Sequence, residues 1–260
     1  EAVETDVLIV GAGGAGLRAA IEAVRHDVDV IVVGKELLGK AHTVMAEGGY
    51  NAALGNVDPA DNWHEHLLDT LEGGVWLNDQ DLAEALVKEA PDRLFDLEEY
   101  GAVFDRTPEG KMAQRFFGKQ RHPRTVYISD YTGHEIMATL TDEVRRLGIR
   151  VMEEVFVSKL LTHDGAVAGA FAFDIPSGEF LVFRSKAVIL ATGGAGRMYE
   201  ITTNPAAATG DGRILALDAG AELVDMEMFQ FHPTAMVWPP SCRGILVTEG
   251  VRGEGGILLN

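Results

Sequence analysis

Two short segments carry the groups best suited to a small substrate with two carboxylates: Gln230-Phe231-His232-Pro233-Thr234, and the string Thr248-Glu249-Gly-Val-Arg252-Gly-Glu254-Gly-Gly256. A threonine hydroxyl (Thr248), an imidazole (His232) and a guanidinium (Arg252) are the donors such a dianion needs. Glu249 and Arg252 stand three residues apart, near enough to pair and pass a proton. An ordinary surface salt bridge in a turn would account for that pair equally well. Near the start of the chain lies Gly11-Ala12-Gly13-Gly14-Ala15-Gly16. In this spacing the first glycine makes a tight turn, the second leaves bare backbone for a pyrophosphate, and the third lets a helix pack closely on a strand. The helix N-terminus behind it adds a dipole that favours phosphate.

Other segments are informative through what they lack. Gly34-Lys35-Glu36-Leu37-Leu38-Gly39-Lys40 imitates a P-loop, but Ala41 follows and offers no hydroxyl for magnesium, so a Walker site is rejected. Gly34 and Lys35 also hold the place where an acidic ribose ligand is expected, with Glu36 just beyond. Ala191-Thr192-Gly193-Gly194 ends an apolar run with a bare backbone, suiting either a cofactor-side turn or an ordinary strand end. His42 sits in a small-residue segment after the second apolar run, where a flavin ring could be placed; by type alone it is an ordinary histidine. His64 and His66 are expected to face different ways and be solvated, so neither zinc nor any other metal is expected. No serine nucleophile elbow or Cys/His pair supports hydrolase chemistry.

The elements that must hold these residues follow from the apolar pattern. Asp6–Val10 reads as a buried strand, Leu17–His26 as a helix and Val28–Val33 as a second strand, which together form a βαβ unit. Helices are expected from about Asn62 to Thr70, Asp79 to Tyr100, Thr132 to Leu147 and Asp211 to Gly220, with an irregular stretch from Asp105 to Arg124. Runs at Arg150–Thr162, Ala166–Asp174 and Glu179–Arg184, joined by turns at His163-Asp-Gly165 and Pro176-Ser-Gly178, predict an antiparallel meander. Lys186–Thr192 is expected as a further strand. The reading is an α/β, Rossmann-like three-layer dinucleotide-binding domain over 1–225, with the start of an α+β capping or substrate domain over 226–260.

Composition narrows the partners. A net charge of -18 argues against nucleic acid, which needs clustered cations. The single cysteine, Cys242, excludes an internal disulfide and a four-cysteine cluster held by this chain, so single electrons would have to leave through another polypeptide. An acidic N-terminus and short apolar runs predict neither a signal peptide nor a membrane span. Thirty glycines, many in clusters, suggest backbone packed against a ligand.

In these strings the sequence resembles the flavoprotein subunits of succinate dehydrogenase and fumarate reductase, from about Asp6 onward. The resemblance rests on 11–20, 42–49, 51–56, 191–197, 209–212, 230–234 and 248–256, in family order. It implies FAD tethered through His42 to the 8α carbon of the flavin. Gly11, Ala12, Gly13, Gly14, Ala15 and Gly16 would hold the pyrophosphate. Lys35, Ala41, Thr43, Glu47, Gly48, Gly49, Thr192 and Gly193 would lie along the cofactor, with Asp211 on its far side. His232 and Thr248 would bind succinate or fumarate, and Glu249 and Arg252 would belong to a proton relay. The implied partners are a membrane anchor and its quinone, both reached through an iron–sulfur subunit. The implied location is peripheral, on the cytoplasmic face of the inner membrane or the mitochondrial matrix side.

Gly34, Ala41 and Tyr131 depart from residues common in the family. The family's proton-donating arginine, and a further substrate histidine and arginine, lie beyond the last matching string, so this stretch alone is expected to be an inactive fragment. The rivals are L-aspartate oxidase or a soluble fumarate reductase, both with non-covalent FAD, a ketosteroid dehydrogenase relative, and a non-catalytic FAD-binding assembly module. His42 separates the first of these from the leading reading.

Overall fold

The computed structural model describes residues 1–118, 120–253, 255–257 and 259. In chain order it begins β1 (Ala2–Val10), α1 (Gly14–Arg25), β2 (Val30–Val33) and β3 (Tyr50–Asn51). Then come α2 (Trp63–Gly73), α3 (Gln80–Glu99), β4 (Gln114–Arg115), β5 (Thr125–Val126) and α4 (Thr132–Arg146). The remainder is β6 (Arg150–Met152), β7 (Val155–His163), β8 (Ala166–Asp174), β9 (Phe180–Leu190), α5 (Asp211–Asp218) and the short α6 (Gly250–Gly253). Two units emerge: residues 1–43 with 140–246, and residues 44–139 with 247–260. Residue 225, where a division was expected, lies inside the first unit.

The first unit is built on a six-stranded sheet ordered β6-β2-β1-β9-β8-β7. The strands β6, β2, β1 and β9 run parallel, while β8 and β7 continue the sheet antiparallel. This is the expected α/β architecture with its meander. Two strands differ from the sequence reading. Residues 179–184 and 186–192 are not separate strands, because no glycine or proline interrupts them and Ser185 pairs with Thr5 to continue the ladder. The run 150–162 is instead divided: Glu154 adopts a left-handed φ of 54°, and the chain leaves parallel β6 to begin antiparallel β7. Leu17, Ala20 and Ile21, spaced three and four apart, form the buried stripe of α1. They and Leu8, Ile9 and Val32 are fully buried, each contributing roughly 1.5–3 kcal/mol for the larger side chains.

The second unit holds a three-stranded antiparallel sheet, β3-β5-β4, with α2 and α3. Asn62 caps α2 by accepting from the His64 and Glu65 amides, and Asp79 caps α3 through the Leu82 amide. At the entry to β5 the fully buried Arg124 donates from Nη2 to Asp61 Oδ1 at 2.8 Å and from Nη1 to Asp69 Oδ2 at 2.7 Å.

His66 overturns its expected solvation. His64 is exposed and stacks on Trp63, whereas His66, two residues on, is only 6 % exposed. Desolvation, and then the charge of Arg124, push its imidazole down to about 4. The sign follows from linkage. In the unfolded chain the ring protonates near pH 6.5, but in the folded protein it stays neutral until about pH 4, so acid favours unfolding across that window. Stability is therefore expected to fall by roughly 3 kcal/mol between those limits. Urea unfolding of wild type and His66→Gln across the window measures this; equal slopes for the two proteins would contradict it.

Candidate functional site

The glycine turn connects β1 to α1 with each glycine held for a different reason. Gly11 has a φ of +116°, and a Cβ built on it would lie 2.2 Å from the Ala191 carbonyl oxygen. One on Gly16 would lie 1.8 Å from the Gly11 oxygen. On Gly13, by contrast, it would meet the Ala41 Cβ at 3.4 Å and Thr43 Oγ1 at 3.7 Å, both ordinary contacts. Gly13 is also the N-cap of α1; it offers no side-chain cap, and the first turn has no acidic residue. Amides at this end are thus left for an anion, with only Gly14 N–H donating, at 3.3 Å, to Thr43 Oγ1.

A cavity of about 350 Å³ opens in front of this turn. Gly11–Ala15 form one wall, Lys35 and Glu36 another, and Ala41, His42 and Thr43 a third. Thr192 and Gly193, at the end of β9, complete the lining among the candidate residues. A strip of small residues beside an uncapped helix start, with no metal-binding cluster among the described residues, fits the pyrophosphate and adjoining parts of a dinucleotide. His42 opens a one-turn 3-10 helix, His42–Met45. Its ring is accessible, yet partial desolvation lowers its pKa below the usual histidine value. A neutral ring nitrogen with a free lone pair is the form needed to bond an electrophilic carbon.

Lys35 and Asp211 meet directly. Lys35 Nζ pairs with the Asp211 carboxylate and donates to Thr209 Oγ1 at 2.6 Å. Thr209 in turn donates to Asp211 Oδ1 at 2.8 Å. The string Thr-Gly-Asp-Gly thereby acquires a local reason. Gly210 takes a left-handed φ of 81° as the N-cap of α5, and Gly212 leaves room for Thr192, whose Oγ1 would stand 1.8 Å from an added Cβ. Sequence reading isolated Asp211 from that string and missed Thr209, although the hydroxyl two residues before the aspartate was in plain view.

The first unit also carries His232, half-buried, whose Nδ1 lies 3.0 Å from the Thr234 carbonyl. The Thr234 amide also stands 3.4 Å from Nδ1, and in the tautomer where Nδ1 accepts from it, Nε2 carries the proton and is the position able to donate to a carboxylate. In the second unit lie Glu47, Gly48 and Gly49, and the substrate candidates Thr248, Glu249 and Arg252. A Cβ on Gly48 would stand 2.6 Å from the Phe117 ring, and Gly49 has a φ of +133° against β5. Thr248 Oγ1 accepts from the Gly250 amide at 3.3 Å and so caps α6. Arg252 Nη2 stands 3.8 Å from Glu249 Oε2, which is the expected pairing. Its buried Nε and Nη2 atoms lack hydrogen-bond partners among the described residues. Glu254 of the same string lies outside the described residues.

Comparison with known proteins gives a consistent identity. The FAD binding domain family matches residues 6–260. The fumarate reductase (CoM/CoB) of Methanothermobacter marburgensis contributes one relative, 54 % identical over all of this chain and 48 % of its own length. The succinate dehydrogenase flavoprotein of Rickettsia bellii is 43 % identical over 98 % of this chain and 43 % of its own. Among solved structures, an E. coli quinol fumarate reductase superposes with a TM-score of 0.94 at 40 % identity, covering all of this chain and 44 % of that one. The chain thus spans about half the length of the relatives it matches. With 255 of its 260 residues inside the family match and the glycine turn in place, the chain belongs to the FAD-binding domain family, alongside the flavoprotein subunits of fumarate reductase and succinate dehydrogenase.

Proposed function

We propose that this chain is part of a flavoprotein that interconverts succinate and fumarate, with FAD attached through His42. The observation that carries the reading is that His42 lines the same cavity as the Gly11–Ala15 turn. One side of that cavity suits a pyrophosphate, and a histidine with a lowered pKa stands on another. When bound, FAD would supply a two-electron acceptor for a hydride from the substrate.

The chain's own residues have separate tasks. The α1 amides and the bare backbone of Gly13 hold the pyrophosphate, while Lys35, kept in place by Asp211 and Thr209, closes the β2 side. His232 and Thr248 offer a ring nitrogen and a hydroxyl to substrate carboxylates. Glu249 and Arg252, paired at 3.8 Å, would together form one stage of a proton relay, and the guanidinium has donors left unfilled among the described residues. The arginine expected to exchange the substrate proton itself belongs to the part of the family lying beyond these strings. Electrons then pass to an iron–sulfur subunit in a complex peripheral to the inner membrane and, through an anchor, to quinone. No described helix is long and apolar enough to cross a membrane.

The relatives carry the names of both directions, fumarate reductase and succinate dehydrogenase, and the same residues serve either. Covalent attachment is tested on the full-length protein by denaturing electrophoresis. Flavin fluorescence is expected to migrate with the wild-type polypeptide and to be lost from it in His42→Ser. Flavin freed from the wild type would overturn the tether and favour the non-covalent arrangement expected of L-aspartate oxidase or a soluble fumarate reductase.

A further inference from the structure

The second unit contains an arginine that the substrate and cofactor assignments leave unused. Arg115, in β4, lies with its guanidinium carbon 4.3 Å from the centre of the Tyr127 ring and 5.5 Å from that of Phe117. Its Nη2 donates to the Gly48 carbonyl at 2.9 Å and the Ser129 carbonyl at 3.2 Å. The Glu47 carbonyl and Asp130 Oδ1 are farther from the same nitrogen, at 3.4 Å each. One cation thus meets two consecutive carbonyls of the Glu47–Gly49 loop and ties them to residues 129–130.

The loop around it has little freedom. Phe117, which stacks beside Arg115, also fills the space where a Gly48 side chain would go. Gly49 leaves no room for a Cβ, which would come within 2.4 Å of Thr125. Ala46 accepts from the Gly133 amide at 2.7 Å. In a glycine-rich segment with almost no side chains to anchor it, the orientation of each peptide depends on what holds its carbonyl. A carbonyl drawn toward Arg115 turns the following amide N–H the opposite way, because the peptide group is planar.

We infer that Arg115 is a positioning residue for the flavin: it fixes the Glu47 and Gly48 carbonyls, and so sets the direction of the Gly48 and Gly49 N–H groups presented to the ring. This rests on the reading of Glu47–Gly49 as flavin-lining. Backbone donors placed near a flavin tune it only if their direction is fixed before reduction, and a stacked, multiply bonded guanidinium supplies that rigidity.

The test uses full-length holoprotein carrying Arg115→Gln or Arg115→Lys, with visible circular dichroism of the flavin, its midpoint potential and thermal unfolding measured together. Both variants are expected to retain FAD, lose most of the flavin dichroism and shift the potential. Lysine keeps the charge but cannot stack as a plane on Tyr127, so it remains a usable variant should glutamine fail to fold. FAD bound with wild-type dichroism and potential in either variant overturns the role of Arg115. A wild type that binds no FAD overturns the flavin reading itself, and this inference with it.

Discussion

Alanine at Gly16 is expected to prevent the first unit from folding, whereas alanine at Gly13 should leave it folded and unable to hold FAD. A Cβ on Gly16 would lie 1.8 Å from the Gly11 carbonyl oxygen, a backbone atom with no rotamer by which to retreat. Relief would require α1 to move off the turn, and Leu17, Ala20 and Ile21 would leave their buried positions with it. Overpacking of this kind costs upward of about 3 kcal/mol, a large share of the total stability of an ordinary domain. Gly11→Ala should behave like Gly16→Ala, since it combines a backbone clash with a φ of +116° that disfavours any side chain. Gly13 is different: its added Cβ would be 3.4 Å from Ala41, so the fold has no reason to object. That Cβ would instead occupy the approach of the pyrophosphate to the helix N-terminus. Thermal unfolding and flavin absorbance of the three full-length variants separate the two effects. A Gly16→Ala protein as stable as wild type, or a Gly13→Ala protein with full flavin, contradicts the corresponding half.

The contrast also shows which features a sequence can disclose. The βαβ opening was legible because its determinants are local: an apolar run, three glycines at fixed spacing, then an alanine-rich stripe. The Glu249–Arg252 pair was legible for the same reason, being three apart. Strand limits were less so, since whether Arg184-Ser-Lys186 breaks or continues a strand is decided by β1 pairing alongside it. His66 could not be read at all. Nothing in Trp63-His-Glu-His66 distinguishes the exposed histidine from the buried one; the difference is made by burial in the folded unit, to which the charge of Arg124, distant in sequence, adds. Arg115 was hidden likewise, because it acts on carbonyls 67 and 68 positions earlier. The residues recovered were those whose chemistry is local or whose strings match a family. Of those missed, His66, Arg115 and Arg124 are set by partners far away in sequence, whereas Thr209 was missed beside Asp211 itself.

The most costly single change in the second unit is expected to be Arg124→Met. Its side chain is 1 % exposed, as is that of Asp61, and that of Asp69 is 11 % exposed. Three charges in so little water are stable only because each satisfies the others: Nε and Nη2 of the arginine serve Asp61, and Nη1 serves Asp69. Methionine fills much of the volume but strands two carboxylates, and an uncompensated buried charge costs about 3–5 kcal/mol. Asp69 has an escape, since Arg121 Nη1 stands 3.1 Å from its other oxygen. Asp61 has no such cation at hand in the ion pairs of the described residues. Its protonation should therefore relieve most of the damage, and the Arg124→Met protein should regain stability relative to wild type as the pH falls. That is opposite in sign to the acid effect of His66, whose neutral form Arg124 helps to favour. Replacing Asp61 as well, in Arg124→Met/Asp61→Leu, should recover much of the loss, because apolar groups of similar volume can substitute for a buried ion pair. Urea unfolding of the two variants at neutral and mildly acidic pH checks both statements. If the double variant is no more stable than the single one, the cost comes from lost packing around Arg124 and not from the stranded charge.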